Sequence, residues 1–344
     1  MNKRIVLGVG VVAVLLILGY LRVRDDDVGT QPVSSSAEIL FTSNKDTGGR
    51  REEIYAMNGD GGDVTRVTFT EYHHFIVGID SSGRCLAVSR AERDTEPPQG
   101  IGGEDGKSLW VIDLETGNET RLTGERDEAE GDSFSHDGEW LVFWMIPEGE
   151  STSDIYKIRK DGSGLTRLTD TPDVNEFDPQ WSNTGDEIAF ISYSAEAPRF
   201  VLRLMDSDGG DPRTIYDGED TVSTPYFPPG VFDPSWSPDD QWIVFEKPTR
   251  YDGENGGAGV WHIFKIRRDG TGLVDLSEAG GHGEWAEYLP SYSSDGEYIV
   301  FTARYGPSDP SDTDIDVFRM DEDGGSLLKL TDNPAYNEAA VWVR

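Results

Sequence analysis

From Asp132 the chain reads "DSFSHDGEWLVFWMI", and from Asp154 "DIYKIRKDGSGLTRLT". Four short apolar runs are separated there by polar turns. The second run, "WLVFWMI", is almost continuous, the pattern of a strand buried on both faces. The third, "DIYKIRK", alternates, the pattern of a strand with one solvated face. "SHDG" and "KDGSG" between runs supply the Asp-Gly steps of tight hairpins.

The frame recurs along the chain. First-to-second turns read "DSSGR", "SHDGE", "SNTGDE", "SPDDQ" and "SSDGE" from Asp80, Ser135, Ser182, Ser237 and Ser293. Third runs include "EIYAMNGDGG", "SLWVIDLETG", "HIFKIRRDGTG" and "DVFRMDEDGG". Fourth runs end on Thr68, Thr123, Thr169, Tyr216, Ser277 and Thr331, which lie 46 to 61 residues apart. A four-strand unit with a period near 50 predicts an all-β fold, a six-bladed β-propeller of four-stranded antiparallel blades. The first unit begins at "EILFTS", a second-strand run. The strand it lacks is expected to be "AAVWV" at Ala339–Val343, which would close the ring by joining the N-terminal blade.

The turns, the "DIYxxxxDGxG" runs and the "RLT" endings resemble the WD40-like repeat of TolB family propellers. The resemblance covers Glu38 to Arg344. Where TolB carries an α/β domain before its propeller, this sequence has only an apolar stretch and a polar segment. The envelope role of TolB is therefore not implied. Related propellers accompany the hydrolase domain of prolyl-oligopeptidase-type peptidases, and no GxSxG nucleophile elbow occurs here.

The N-terminal part is read separately. "IVLGVGVVAVLLILGYL" (Ile5–Leu21) is uncharged and follows "MNKR" without a nearby small-residue cleavage site. Residues 1–24 are expected to be an uncleaved signal anchor, a transmembrane helix with the amino terminus inside. Residues 25–37 are expected to be a flexible tether. Residues 38–344 would then be a membrane-anchored propeller outside the cytoplasm.

Charge narrows the partners. The 344 residues carry a net charge of −35, with 22 arginines and 8 lysines. Phosphate backbones would be repelled, so nucleic acid is set aside. Dispersed carboxylates with few lysines point to a protein that stays hydrated at high salt, where self-repulsion is screened. The one cysteine, Cys85, permits no internal disulfide and sits in an apolar run.

Candidate site residues follow from the geometry of a propeller. Blade-to-blade connections lead into the central channel, and here they carry His73 and His74, Asp132, Glu176 and Asp178, Asp233, Glu284 and Glu287, and Glu338. His74, Asp132, Glu176, Asp178, Asp233, Glu287 and Glu338 are expected to ring the channel mouth and attract cations or basic peptide segments. Phe177, Phe232, Tyr288 and Tyr336 lie beside them. Long loops at Glu92–Lys107, Lys247–Gly259 and Arg304–Asp314 mark the same face. The five histidines make no HExxH pattern, and no cofactor is expected. "DSDGGD" (Asp206–Asp211) and "DEDGG" (Asp321–Gly325) start like an EF-hand loop but lack its terminal glutamate. They read as turns, and Ca2+ is the one ion weighed. The expected function is a monomeric, membrane-anchored scaffold for envelope or cell-surface proteins or peptides. The alternative is a carbohydrate-binding or carbohydrate-active propeller of glycosidase or lyase type.

The charge argument yields a test. The chain should lose its native near-UV circular dichroism when salt is removed; a spectrum unchanged in dilute buffer would count against salt adaptation.

Overall fold

The computed structural model describes residues 29–34, 36–48, 51–70, 72–91, 107–124, 127–224, 228–251, 259–305 and 315–343. Nearly every regular element among them is a strand, and pairing is antiparallel with one exception. The second set has strands His73–Ile79, Cys85–Ala91, Lys107–Asp113 and Glu119–Arg121 in that order. The third runs Glu128–Phe134, Trp140–Ile146, Asp154–Arg159 and Thr166–Arg167. The fourth runs Val174–Trp181, Glu187–Ser194, Ala197–Asp206 and Arg213–Tyr216. A fifth set (Phe232–Trp236, Trp242–Arg250, Val260–Arg267, Val274–Asp275) and a sixth (Ala286–Tyr292, Tyr298–Arg304, Ile315–Asp321, Leu328–Lys329) touch through one parallel contact, Trp261 to Ala286, forming an eight-stranded sheet.

The first set joins the two ends of the described chain. Ile39–Ser43 pairs with Glu53–Met57 on one side and with Asn337–Trp342 on the other. Ile39 stands opposite Trp342 and Ser43 opposite Asn337. Asn337 is fully buried and accepts the Ser43 hydroxyl at 2.8 Å.

The "SxDG" turns have a chemical reason. Ser135, Ser237 and Ser293 each donate a hydroxyl to the aspartate two residues on, at 2.6 Å. Each serine oxygen also accepts the N–H that opens the next strand, from Trp140, Trp242 and Tyr298. A side chain that satisfies both ends of a turn fixes hairpin register locally.

Apolar clusters fill the space between successive sets. Val77, Leu109, Phe134 and Phe143 pack the second against the third. Ile39, Phe41 and Tyr55 pack the first against Val300 and Val317 of the sixth. This explains a departure from expectation: the third strand of the third set is buried on both faces, "DIYKIR" being exposed only at Arg159, whereas Ala197–Asp206 of the fourth set alternates between half-buried and buried positions. Alternate basic residues of third strands lie between sheets. Lys157 donates to Ser207 O (2.8 Å), Lys265 to Glu322 O (2.6 Å) and Arg319 to Gly59 O (2.7 Å), each in a turn of the following set. Long basic side chains bury their stems and place the charge on a carbonyl. The turns pack closely in return. A Cβ on Gly209, at φ 91°, would lie 2.3 Å from Leu168 O, so no other residue fits.

Fourth-strand hydroxyls complete the lattice. The N–H groups of Ile54, Leu109, Ile155, Ile263 and Val317 donate to Thr68, Thr123, Thr169, Ser277 and Thr331 at 2.8–3.1 Å. The landmarks read from sequence are thus acceptors that cap third strands. Tyr216 breaks the series, and there the fourth-strand register shifts.

The expected membrane anchor finds no support in the described structure. The helix Leu276–Gly280 has five residues and rises about 7 Å, whereas crossing a hydrocarbon core takes about 30 Å. No helix among the described residues is long and apolar enough to cross a membrane. Ile5–Leu21 and the start of the expected tether, to Val28, lie outside the described residues, as do most of the three long loops; further along the tether, Gly29–Thr30 pairs with Thr68–Phe69 and the Gln31 N–H donates to Val67 O at 2.8 Å.

The hydroxyl caps predict a graded loss. Thr169→Val and Thr331→Val should each lower unfolding free energy by about 1–3 kcal/mol, because a buried N–H is orphaned. The Ser variants should retain most of it in denaturant titrations.

Candidate functional site

All six first strands carry a bulge. Register slips at Ile76/Gly78, Gly131/Ser133, Phe177/Gln180, Phe232/Ser235 and Tyr288/Ser291, and opposite Leu40/Thr42 for the C-terminal strand. Asp178, Asp233, Leu289 and Ala339 sit at these slips with φ of 49°, 49°, 56° and 50°. A left-handed residue re-aims its side chain out of the strand's alternation. Proline follows the first three, so no ladder donor is lost beyond the slip.

The bulges gather acids from several sets. The Asp233 N–H points at Asp178 Oδ2, 3.5 Å away. Glu130 is held by Lys107 at 2.8 Å, and the buried Glu246 accepts the N–H of the bulge residue Leu289. Charge links non-adjacent sets: Glu338 of the first feels Glu130 of the third, and Asp233 of the fifth feels Glu130 as well. The first strands of successive sets also pack side by side from one set to the next, and this places the bulges round one centre.

Asp178, Asp233 and Glu338 keep partial solvent contact, yet protein surrounds them. Burial, then Glu130, pushes the Asp178 carboxyl up to about 7. Burial, then Glu52, lifts Glu338 to about 7 against the opposing Tyr336 hydroxyl bond. Asp233 and Glu246 are held well above the carboxylate range by burial first, and by each other's neighbourhood with Asp178 second. Carboxyls poised near neutrality can take up a proton or a cation.

The structure brings together only part of the expected ring. Asp178, Asp233 and Glu338 share the centre. Asp132 stands at its strand's bulge, but its side chain lies outside the described residues. His74, Glu176 and Glu287 engage partners between sheets. His74 lies 3.7 Å from Glu53 and accepts from Arg90 Nε, and burial holds it below the usual histidine range. Glu176 donates its backbone N–H to Ser153 Oγ and accepts the Thr171 hydroxyl at Oε1, its buried Oε2 having no hydrogen bond among the described residues, while Glu287 accepts Ser277 (2.5 Å) and pairs with His282. His73 pairs with Glu52, and Glu284 with Arg250 at 2.6 Å. Glu130, Glu246 and Lys107 were not anticipated. Glu130 lies two residues before the Asp132 bulge, which was the available signal; Glu246 lies in an interior strand opposite Phe232 and had none.

Asp208 and Asp323 accept the N–H of Gly210 and Gly325 within their own turns, at 3.1 and 3.2 Å. Among the described residues no group of three His, Cys, Asp or Glu is arranged to hold a metal ion.

Aromatic rings run beside the acids. Trp144, Phe177, Phe200, Phe232, Trp261 and Tyr288 follow one another with centroids 4.6–6.2 Å apart. At one end they border a partly open cavity of about 190 Å³, lined by Trp144, Phe177, Tyr193 and Phe200 with Glu128 and Asn175. Phe177 lines the cavity while the next residue, Asp178, joins the acids.

These titrations set a stability profile. Carboxyls raised in the folded state (Asp178, Asp233, Glu246, Glu338, Glu176) contribute stability present below their unfolded value, about 4, and lost as pH rises through the folded values. His262 and His282, raised by Asp275 and Glu287 against burial, act in the same direction from about 6.5 upward. His74, lowered by burial, opposes them below about 6.5, and Asp137 and Asp295, lowered by their turn hydroxyls, oppose below about 4. The thermal midpoint should therefore be higher at about pH 5.5 than at pH 8. Asp178→Asn should flatten that slope, and a midpoint that climbs steadily to pH 8 would refute the burial argument.

No family model matches the chain. An uncharacterized protein of Agrobacterium fabrum is 34% identical over 140 residues, 38% of this chain and 44% of that protein. The uncharacterized peptidase YuxL of Bacillus subtilis is 27% identical over 42% of this chain and 24% of its own length. Dipeptidyl-peptidase 5 of Porphyromonas gingivalis is 26% identical over 46% of this chain and 21% of its own length. The match thus spans less than half of each curated relative. Among solved structures, TolB from Acinetobacter baumannii superposes with a TM-score of 0.64 at 16% identity, covering 90% of this chain and 67% of that one. A chain of the nidogen–laminin complex gives 0.60 at 11% identity over 90% and 98%. Oligogalacturonate lyase in complex with manganese gives 0.51 at 15% identity over 89% and 74%. At these identities the likeness concerns the fold. The chain has the TolB-like β-propeller fold.

Proposed function

We propose that the chain is a six-bladed propeller, its ring closed by Asn337–Trp342 in the first blade, that serves as a protein- or peptide-binding scaffold through its acidic centre. The closing pairing with Ile39–Ser43 and the apolar cluster joining the sixth set to the first support the ring. The observation that carries the binding reading is the succession Phe177–Asp178. One bulge presents a ring to an apolar cavity and the next carboxyl to the acids. A segment with a basic side chain beside an apolar one meets both at once: the cation offsets charge that burial has made costly, and the apolar group leaves water. The TolB-like fold is compatible with protein binding.

A second reading keeps the carbohydrate alternative. The aromatic arc could stack on sugar rings, and oligogalacturonate lyase is a structural neighbour. Acidic sugars would be repelled by the same carboxyls, so this reading is restricted to neutral glycans.

The scaffold reading is tested with the double variant Asp178→Asn, Asp233→Asn. Affinity for Lys- and Arg-containing peptides, followed by fluorescence anisotropy, should fall about tenfold or more, and the wild-type affinity should weaken with salt. Equal binding by the two proteins would sink it. Turnover of neutral polysaccharides by the wild type and not the variant would instead select the carbohydrate reading.

A further inference from the structure

The cavity beside the acidic centre has a composition that selects a ligand more narrowly than a peptide scaffold requires. Its walls come from the third and fourth sets, with Pro228 from the connection that follows. Four aromatic rings meet there at different tilts. Trp144 and Phe177 lie edge-on at 78° with centroids 5.5 Å apart, Phe177 and Phe200 at 53° and 6.2 Å, and Tyr193 and Phe200 at 33° and 4.9 Å. Against these rings stand two polar side chains. The Asn175 Oδ1 already accepts the Ser153 N–H at 3.1 Å. Glu128 forms no hydrogen bond or ion pair with any described residue, although it shares one strand face with Glu130, which holds Lys107.

Each ligand class meets these groups differently. An anion would face Glu128 and Glu130. A neutral ring would fill the space but leave a half-buried carboxylate uncompensated. A divalent metal ion needs six or more oxygen ligands, and one carboxylate with one amide oxygen does not supply them. A primary ammonium satisfies the charge, yet it must bring three strongly hydrated N–H donors into walls that are mostly aromatic and aliphatic, and each unmet donor costs free energy. A quaternary ammonium has no N–H to satisfy. Its charge is spread over methyl groups that pack on ring faces, whose negative quadrupole attracts it. Size agrees: a cavity of roughly 150 Å³ takes up benzene, and this one is larger.

We propose that the cavity bounded by Trp144, Phe177, Tyr193 and Phe200, with Glu128 as counter-charge, is a binding site for a small quaternary ammonium compound. The wider acidity of the chain raises the local concentration of such cations. The inference goes beyond the scaffold reading and does not depend on it, because Glu128, not Asp178 or Asp233, provides the charge.

The full chain would be titrated with choline by calorimetry, in parallel with the neutral tert-butyl analogue in which carbon replaces the nitrogen, and with ethanolamine. Choline should saturate one site and bind about tenfold more tightly than either control. Glu128→Gln should abolish the preference over the neutral analogue, and Tyr193→Leu should weaken choline while leaving the circular dichroism spectrum unchanged. The double variant Asp178→Asn, Asp233→Asn should keep its choline affinity, which separates this site from the acidic centre. Equal affinity for choline and the neutral analogue would overturn the proposal, as would an unaltered preference in Glu128→Gln or no saturable binding. Phosphatidylcholine vesicles distinguish the source of the group: binding to vesicles without binding of free choline would also overturn it.

Discussion

A sheet buried on both faces is stable only when each face finds a partner, and in this chain the partner is always another copy of the same four-strand unit. Polar groups that point between sheets must then be satisfied there, out of reach of water. The structure does this with two repeated bonds. A fourth-strand hydroxyl accepts the N–H at the head of the third strand, and a third-strand Lys or Arg reaches a turn carbonyl of the next set. Everything else is arranged around those ties. The short turns are uniform because the glycine at their tip packs on the carbonyl of the preceding fourth strand.

The innermost strands carry the cost of that order. Adjacent sheets crowd at the centre, and each first strand slips by a residue there. Left-handed residues at the slips turn side chains away from the pleat, and in two neighbouring sets the residue turned is an aspartate. Carboxyls are thereby concentrated where desolvation is greatest. The same geometry that makes Asp178 and Asp233 costly for stability makes them responsive to a cation.

The acidity of the chain has two components that differ physically. Turn aspartates such as Asp137 and Asp295 are lowered by serine hydroxyls and N–H groups and belong to the fold. Central carboxyls are raised by burial and belong to the candidate site. Composition counts the two alike, which is why the candidates in the connections, Asp132 aside, separated into a central group and a group of between-sheet partners. Glu176 and Glu287 carry charge at the expected place in the repeat, but their neighbours Thr171, Ser277 and His282 draw them into the lattice between sheets.

The sequence by itself determined the repeating unit, its turns and its landmarks. Each of these is a local relation, between residues two to five apart in a turn or at a fixed strand period, and such relations are written in neighbouring letters. It also carried the pairing of the last strand with Ile39–Ser43, since a four-strand frame with one member missing has a single vacancy to fill. Tertiary structure decided which carboxyls meet, that third strands such as Glu53–Met57 and Val260–Arg267 are buried on both faces, and where the aromatic cavity opens. Glu246 illustrates the difference: it lies in an apolar run, and its place at the centre depends on the bulge at Leu289, 43 residues later in the chain. Convergence of residues from five sets onto one axis is a property of how the sheets stack, and no window of the sequence contains it.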